Sequence, residues 1–428
     1  MKLKIFLEHR FQRTPDGRVW SSFFHYEIWT RYLGAFSNVT LCARVMEVPD
    51  VGKDMALATG DGVELAGLPY YHGPRQYLLK RADFRAAVAA LVTPDTAYIA
   101  KVPGNVASLA IGALKARGIP YAIEVIGDPW DTFSPGSSNH PLRWLFRRSF
   151  ARAARRECRE AAASLYVTEH ALQRRYPPAP GTPTFHASNV FLTRPAAATS
   201  ASAFVEQPRP AASFTVRPLR FVCVGSFNLL YKAQDDLVKA FARAVTRGLD
   251  AHLTFVGDGM YREGIEALAR RQPCLTGRVA FAGQLRGGAA VRKVLDRSHV
   301  FVLPSRQEGL PRAALEAMAR ALPCVGSSVG GFPEILQPDA IVRPCDVPGL
   351  AACLMRLAGD PARLAEMSAL NLQRASDFER DKLAVRQGAF YSTVRDLFAP
   401  FWERHRARAE ERKSPQSIAP ASAGRQAA

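Results

Sequence analysis

Little in this sequence would serve a disulfide framework, a metal site or a membrane span. Its seven cysteines, at 42, 158, 223, 274, 324, 345 and 353, are scattered, with no CxxC pair and no Cys/His spacing of the zinc type. That excludes the small secreted scaffolds held by disulfides and points to reduced thiols in a cytoplasmic protein. The start, MKLKIFLEHRFQ, runs at once into charge, so no signal-peptide region is expected. No apolar run approaches the ~18 residues that a spanning helix needs, so the expected state is soluble or peripheral. Acidic residues are scarce beside basic ones, 38 against 57, leaving a formal net charge of +19. Such an excess favours an anionic partner: nucleic acid, anionic lipid or a phosphorylated substrate. No RNP, zinc or helix-turn-helix pattern supports the first of these, and no nucleic-acid partner is expected.

What is present is globular. With 428 residues, 48% hydrophobic and 22% charged, the chain suits two domains of about 200 residues each. In the first half, short apolar runs (KIFLE, NVTLCARV, TAYIAK, PYAIEVIG, ASLYVT) alternate with amphipathic helices such as Ser21–Phe36 and Val106–Arg117. That alternation predicts an α/β fold with a parallel sheet covered on both faces. The stretch TRPAAATSASAFVEQPRPAASFTVRP then has no periodicity and reads as a linker. After it the alternation restarts. The expected organisation is a first domain at 1–192, a linker at 193–218 and a second doubly wound, Rossmann-like domain at 219–387. A helix at 388–413 with an aromatic stripe should pack back on the first domain, and 414–428 reads as a disordered tail. Two such domains facing one another leave a cleft at their seam, beyond the carboxyl ends of the strands.

Five successive strand ends of the second half carry glycine or a loop charge: Gly225 followed by Ser226 and Lys232, Gly257, Gly283, the run RQEGLP, and Gly330–Gly331. Glycine there lets backbone approach a ligand closely. In SRQEGLPRAALEAMAR, Pro311 fits the first position of a helix, so Gly309 and Leu310 mark a helix start whose free amides attract anions such as a diphosphate. Lys232 adds a mobile charge from a neighbouring strand end. Glu308 would repel phosphate, and suits hydroxyl groups or developing positive charge. Glu316, two turns on, suits a ribose diol. Singly, each acid has an ordinary explanation: Glu308 beside a helix start is favourable without a ligand, and Glu316 with Arg320 makes an i,i+4 pair. In company with Lys232 and the five glycine-bearing strand ends, the ligand reading is the stronger one.

These residues resemble a known family. EGLPRAALE matches the E-x7-E signature of the retaining group 1 (family 4) glycosyltransferases, which have the GT-B architecture. VGSFNLLYKAQDDLVKAF resembles their Gly loop and helix start, with Ala233 where glycine is usual, and FVGDGMYREGIEALA and VGGFPEIL match two further stretches. The resemblance implies a sugar transferred from a UDP- or GDP-sugar to a saccharide or lipid-linked acceptor, in polysaccharide or glycolipid synthesis. The nucleotide sugar is then a substrate, so no cofactor is implied, and the pattern is metal-independent. It implies Glu308 facing the donor sugar, Glu316 on the ribose, and Lys232 with the Gly309 and Leu310 amides on the diphosphate. Gly225, Ser226, Gly257 and Gly283 would line the donor. Relatives often carry arginine where this chain has Ser226, and a histidine on the loop that here reads Ile126-Gly127-Asp128. Asp128 or Glu124 would have to take the place of that histidine. In the first half the resemblance is architectural, and it implies that the loop around Gly17 borders the acceptor.

Breaking a sugar–diphosphate bond leaves oxocarbenium character on the sugar and negative charge on phosphate, which preorganised donors stabilise. Same-face attack follows from the resemblance. In PLRWLFRRSFARAARRECREAAA, Arg148, Arg152, Arg155 and Arg159 share one helical face beside Trp144, Leu145 and Phe150. That face suits the anionic inner surface of the cytoplasmic membrane, or is simply solvated. Two other functions fit parts of the sequence: a nucleotide-sugar epimerase of similar architecture, and a non-catalytic lipid- or nucleic-acid-binding protein on a transferase scaffold. The E-x7-E spacing opposes the first; Glu308 and Lys232 oppose the second.

Overall fold

The computed structural model describes residues 1–411 except 23, 53–54, 139, 195–202 and 286–287; the expected tail at 414–428 lies outside the described residues. The first domain is built on a nine-stranded sheet. Strand Lys2–Arg13 lies in its middle, parallel to Asn38–Glu47 on one side and Thr96–Val102 on the other. Val63–Leu68 extends one flank, and Ala122–Val125, Ala163–Tyr166 and Thr184–His186 extend the other, all parallel. Thr96–Val102 and Ala122–Val125 are buried along their whole length, as an apolar run covered on both faces requires.

One flap breaks the parallel pattern. Val19–Ser21 turns back antiparallel on the end of Lys2–Arg13 and pairs with Ala56–Leu57. The helix expected from Ser21 therefore begins only at Tyr26 and ends at Leu33.

The second domain is a six-stranded, wholly parallel sheet in the order Val279–Phe281, Ala251–Val256, Leu219–Val224, Val300–Leu303, Cys324–Ser327, Ile341–Val342. The order reverses direction between Leu219–Val224 and Val300–Leu303. Open sheets of this class bind ligands at that switch point, because the loops leaving its two strands diverge and open a crevice.

Residues 203–218 are not a free linker. Phe204 and Phe214 are buried, and Val205 N–H donates to Ala319 O at 3.0 Å. The Arg209 guanidinium donates to Ser298 O, to Leu295 O and to Arg320 O, where helices of the second domain end. Its backbone N–H donates to Ser368 Oγ at 2.8 Å. The segment is a strap: two aromatic anchors and one arginine that satisfies helix-end carbonyls, which no periodicity reveals.

The chain returns to the first domain through the long helix Arg380–Glu411. Its start bonds back across the seam, Arg380 N–H to Leu192 O at 2.8 Å. Along it, Tyr391 packs on Tyr32 with ring centroids 4.4 Å apart, and Phe398 meets Tyr98. Trp402, buried, donates its Nε1–H to Thr96 O at 2.9 Å. Trp402→Ala deletes both a buried ring and a buried bond, so unfolding stability should fall by about 3–5 kcal/mol. A denaturant midpoint equal to that of the parent would show that the helix rests on the first domain without holding it.

Candidate active site

Both strands of the switch point contribute a charge. After Leu219–Val224 the loop reaches Lys232, and after Val300–Leu303 it reaches Glu308. Lys232 Nζ donates to Glu308 Oε1 at 2.6 Å, and Ser305 Oγ donates to the same oxygen at 2.7 Å. Both ends of the pair are largely buried, with side-chain exposures of 15% and 8%. Burial works against the charge on Lys232, but the Glu308 carboxylate more than offsets it and holds the ammonium above its ordinary range.

A residue the sequence reading passed over sets this geometry. Arg306 is buried, and its guanidinium grips Asp235 at 2.8 and 2.9 Å, Asp236 at 2.6 and 3.1 Å, and Leu230 O at 2.8 Å. Its own N–H donates to Tyr231 O at 2.7 Å. One arginine thus fastens the Glu308 loop to the Lys232 loop. Its partners, YKAQDD, sit beside the lysine in sequence, which is the signal that could have found it.

Ala233, the residue after Lys232, has φ +56°, the left-handed region that explains why relatives use glycine there. Gly257 has φ +133°, and a Cβ on it would lie 2.1 Å from Gly225 O. The reason for that glycine is therefore backbone against backbone as well as ligand access. Gly283 O accepts from Gly257 N–H at 2.9 Å, so the three strand-end glycines 225, 257 and 283 form one continuous floor. Ser226 lies on it, its carbonyl held by Gln234 Nε2 at 3.1 Å.

Pro311 caps the next helix, Arg312–Ala319, instead of opening it. Among the described residues no acceptor faces the amides of Gly309 and Leu310. Gly309 also lies against the first domain: a Cβ there would lie 2.5 Å from Ile126 O. Glu316 is half-buried, and no described group bonds to it. The expected Glu316–Arg320 pair does not form, because Arg320 turns to Asp296 at 2.6 Å. Burial holds the Glu316 carboxyl above the usual range, with the Arg312 and Arg292 guanidiniums pulling the other way.

Two expected site residues have partners within the fold. Asp128 caps the helix Pro129–Thr132, accepting from Trp130 N–H at 2.8 Å and Tyr176 OH at 2.5 Å and pairing with Arg175. Those partners hold the buried carboxylate within the first domain. Glu124 is likewise occupied, by Lys101 and the Tyr32 hydroxyl. Gly17 sits in an exposed turn with φ +79°, closed by its own N–H to Thr14 O. The turn accounts for that glycine.

The model of the family described as glycosyl transferases group 1 matches residues 218–360, the span that holds Lys232, Arg306, Glu308 and Glu316. The chain carries a group 1 glycosyltransferase domain. Over 78% of its length it is 23% identical to protein CapJ of Staphylococcus aureus, covering 80% of that protein. It is 33% identical over 147 residues to a GDP-mannose-dependent phosphatidylinositol monomannoside mannosyltransferase of Corynebacterium glutamicum, but spans only 38% of that protein. The trehalose-6-phosphate structure of E. coli with UDP-2-fluoro glucose bound superposes with a TM-score of 0.60 at 13% identity, over 92% of this chain and 99% of that one. The likeness gives the fold: two Rossmann-like domains in the GT-B arrangement.

A half-buried acid with no partner among the described residues costs the fold stability when it is charged. Its raised pKa means stability that is full below the unfolded carboxyl pKa of about 4 and is lost as pH rises through the folded value. Glu316→Gln should therefore raise the melting temperature at neutral pH, and the difference from the parent should vanish on acidification. The same change should weaken nucleotide binding. A variant that melts below the parent at pH 7 would mean the carboxylate has a partner in the fold.

Proposed function

We propose that this chain transfers a sugar from a UDP- or GDP-sugar to a saccharide or lipid-linked saccharide acceptor, with retention at the anomeric carbon. The observation that carries the reading is the Lys232–Glu308 pair at the switch point, beside the Gly309 and Leu310 amides at the helix start. A diphosphate entering there competes with Glu308 for Lys232 and meets the two amides. Glu316 takes the ribose hydroxyls. Once Lys232 has turned to phosphate, Glu308 is left facing the donor sugar, where positive charge develops as the bond from the anomeric carbon to the diphosphate oxygen breaks. The acceptor hydroxyl attacks from the same face, and its proton passes to the departing phosphate oxygen.

The test separates the two charges. Lys232→Ala should weaken UDP or GDP binding by at least tenfold, beyond the ~1 kcal/mol of an exposed ion pair. Glu308→Gln releases Lys232, so nucleotide affinity should hold or tighten while turnover over a panel of UDP- and GDP-sugars collapses. Equal nucleotide affinity in Lys232→Ala and parent, or normal turnover in Glu308→Gln, contradicts the assignment.

A lipid-linked acceptor held at an anionic membrane is supported by the first domain. Arg148, Arg152, Arg155 and Arg159 are all exposed on the helix Arg143–Glu160. At its start Leu142, Trp144 and Leu145 are 46%, 56% and 45% exposed, and Leu78 and Leu79 reach 65% and 78% beside Lys80 and Arg81. Exposed apolar side chains among arginines suit the interface of an anionic bilayer. Among the described residues no helix is long and apolar enough to cross one. Replacing Arg148, Arg152 and Arg155 with Gln should lower binding to anionic vesicles, each charge being worth roughly 1 kcal/mol at the surface. Donor hydrolysis to water should survive. Vesicle binding equal to that of the parent would return this helix to an ordinary solvated face.

A further inference from the structure

Glu334 belongs to the second domain, in the stretch VGGFPEIL after strand Cys324–Ser327. Its carboxylate crosses the seam. Oε2 accepts from Glu169 N–H at 2.7 Å, and Oε1 accepts from His170 N–H at 2.9 Å and from Ala171 N–H, all in the first domain. Three successive amides converge on one side chain from the other domain. Beside them Arg374 Nη2 donates to Glu169 Oε2 at 3.0 Å, a second link across the same seam.

The other end of this contact is the donor loop. Gly331 N–H donates to Gly309 O at 2.7 Å, and a Cβ on Gly330 would fall 2.4 Å from Glu308 O. Gly331 also lies against Leu310 and Thr168. The segment from Gly330 to Glu334 thus touches, within five residues, the backbone of Glu308–Leu310 on one side and first-domain residues 168–171 on the other. A carboxylate here has no role in phosphate binding, and the amides it takes up would otherwise be left facing the seam.

We infer that Glu334 is a positioning residue: it latches the first domain onto the donor loop, so that the acceptor side meets the sugar only when the Glu334 carboxylate holds the amides of residues 169–171. This rests on the transferase reading for what the latch is for. The contact itself does not. With the latch made, Glu308 and the Gly309 and Leu310 amides are held at one distance from the first domain. With it broken, each domain keeps its own fold and the second still binds nucleotide.

Glu334→Ala removes the latch, and Glu334→Gln keeps one carbonyl oxygen to accept while losing the charge. Small-angle scattering of the full chain, with and without UDP or GDP, reads the separation of the domains. Turnover and nucleotide affinity read the consequence. The expected result is a larger radius of gyration for Glu334→Ala, kcat at least tenfold lower with nucleotide Kd within about threefold of the parent, and Glu334→Gln between the two. Arg374→Gln should move the same readouts less far. An unchanged radius and kcat in Glu334→Ala overturns the inference, as does a nucleotide affinity that falls as far as kcat, since the residue would then belong to the donor site. If the parent binds neither UDP nor GDP, the transferase reading fails. The ligand-free comparison of radii still decides the latch.

Discussion

The Lys232–Glu308 pair is the interaction around which the second domain is arranged. Two charges withdrawn from water cost free energy that their attraction recovers only with good geometry and further hydrogen bonds. The geometry here comes from elsewhere. Arg306 fixes the two loops against one another through Asp235 and Asp236, and Ser305 supplies a second donor to Glu308. The pair therefore survives at the one place in the sheet where strands diverge. It also keeps each charge available: Lys232 has one anionic partner to leave, and a diphosphate offers it two charges in place of one.

The same loops have to touch the first domain, and this is where small residues become obligatory. Gly309 meets Ile126 O, and Gly330 meets the backbone of Glu308, at distances that leave no room for a side chain. Closeness of backbones brings the Glu308–Leu310 loop against the first-domain loop at Ile126. The crossing helix Arg380–Glu411 grips the first domain through buried aromatics, and the strap at 203–218 is fastened to the second through Arg209. Glu334 and Arg374 add direct contacts across the same seam.

Architecture was legible because the alternation of apolar runs and amphipathic helices is long and regular. The strand ends of the second half were legible because glycine, lysine and glutamate fall at the same point of successive units. The flap Val19–Ser21 and Ala56–Leu57 was not, since strands of two or three residues carry no period. The strap was hidden by its alanine and proline content, its anchors being two phenylalanines and one arginine with no spacing rule. An acid before Pro129 has two readings, ligand and helix cap, and the cap with its partners Trp130, Tyr176 and Arg175 is visible only in the structure. Glu334 was visible as a charge beside two glycines, but its amide partners lie 163 to 165 residues away in sequence.

Where the Lys232 ammonium goes when a nucleoside diphosphate arrives decides the proposed function. A crystal structure of the full chain with UDP or GDP bound tests it most directly. The expected result is Lys232 Nζ withdrawn from Glu308 and bonded to a phosphate oxygen, with the Gly309 and Leu310 amides on the same diphosphate and Glu316 on the ribose. A nucleotide bound with Lys232 still on Glu308, or bound away from the switch point, would contradict it.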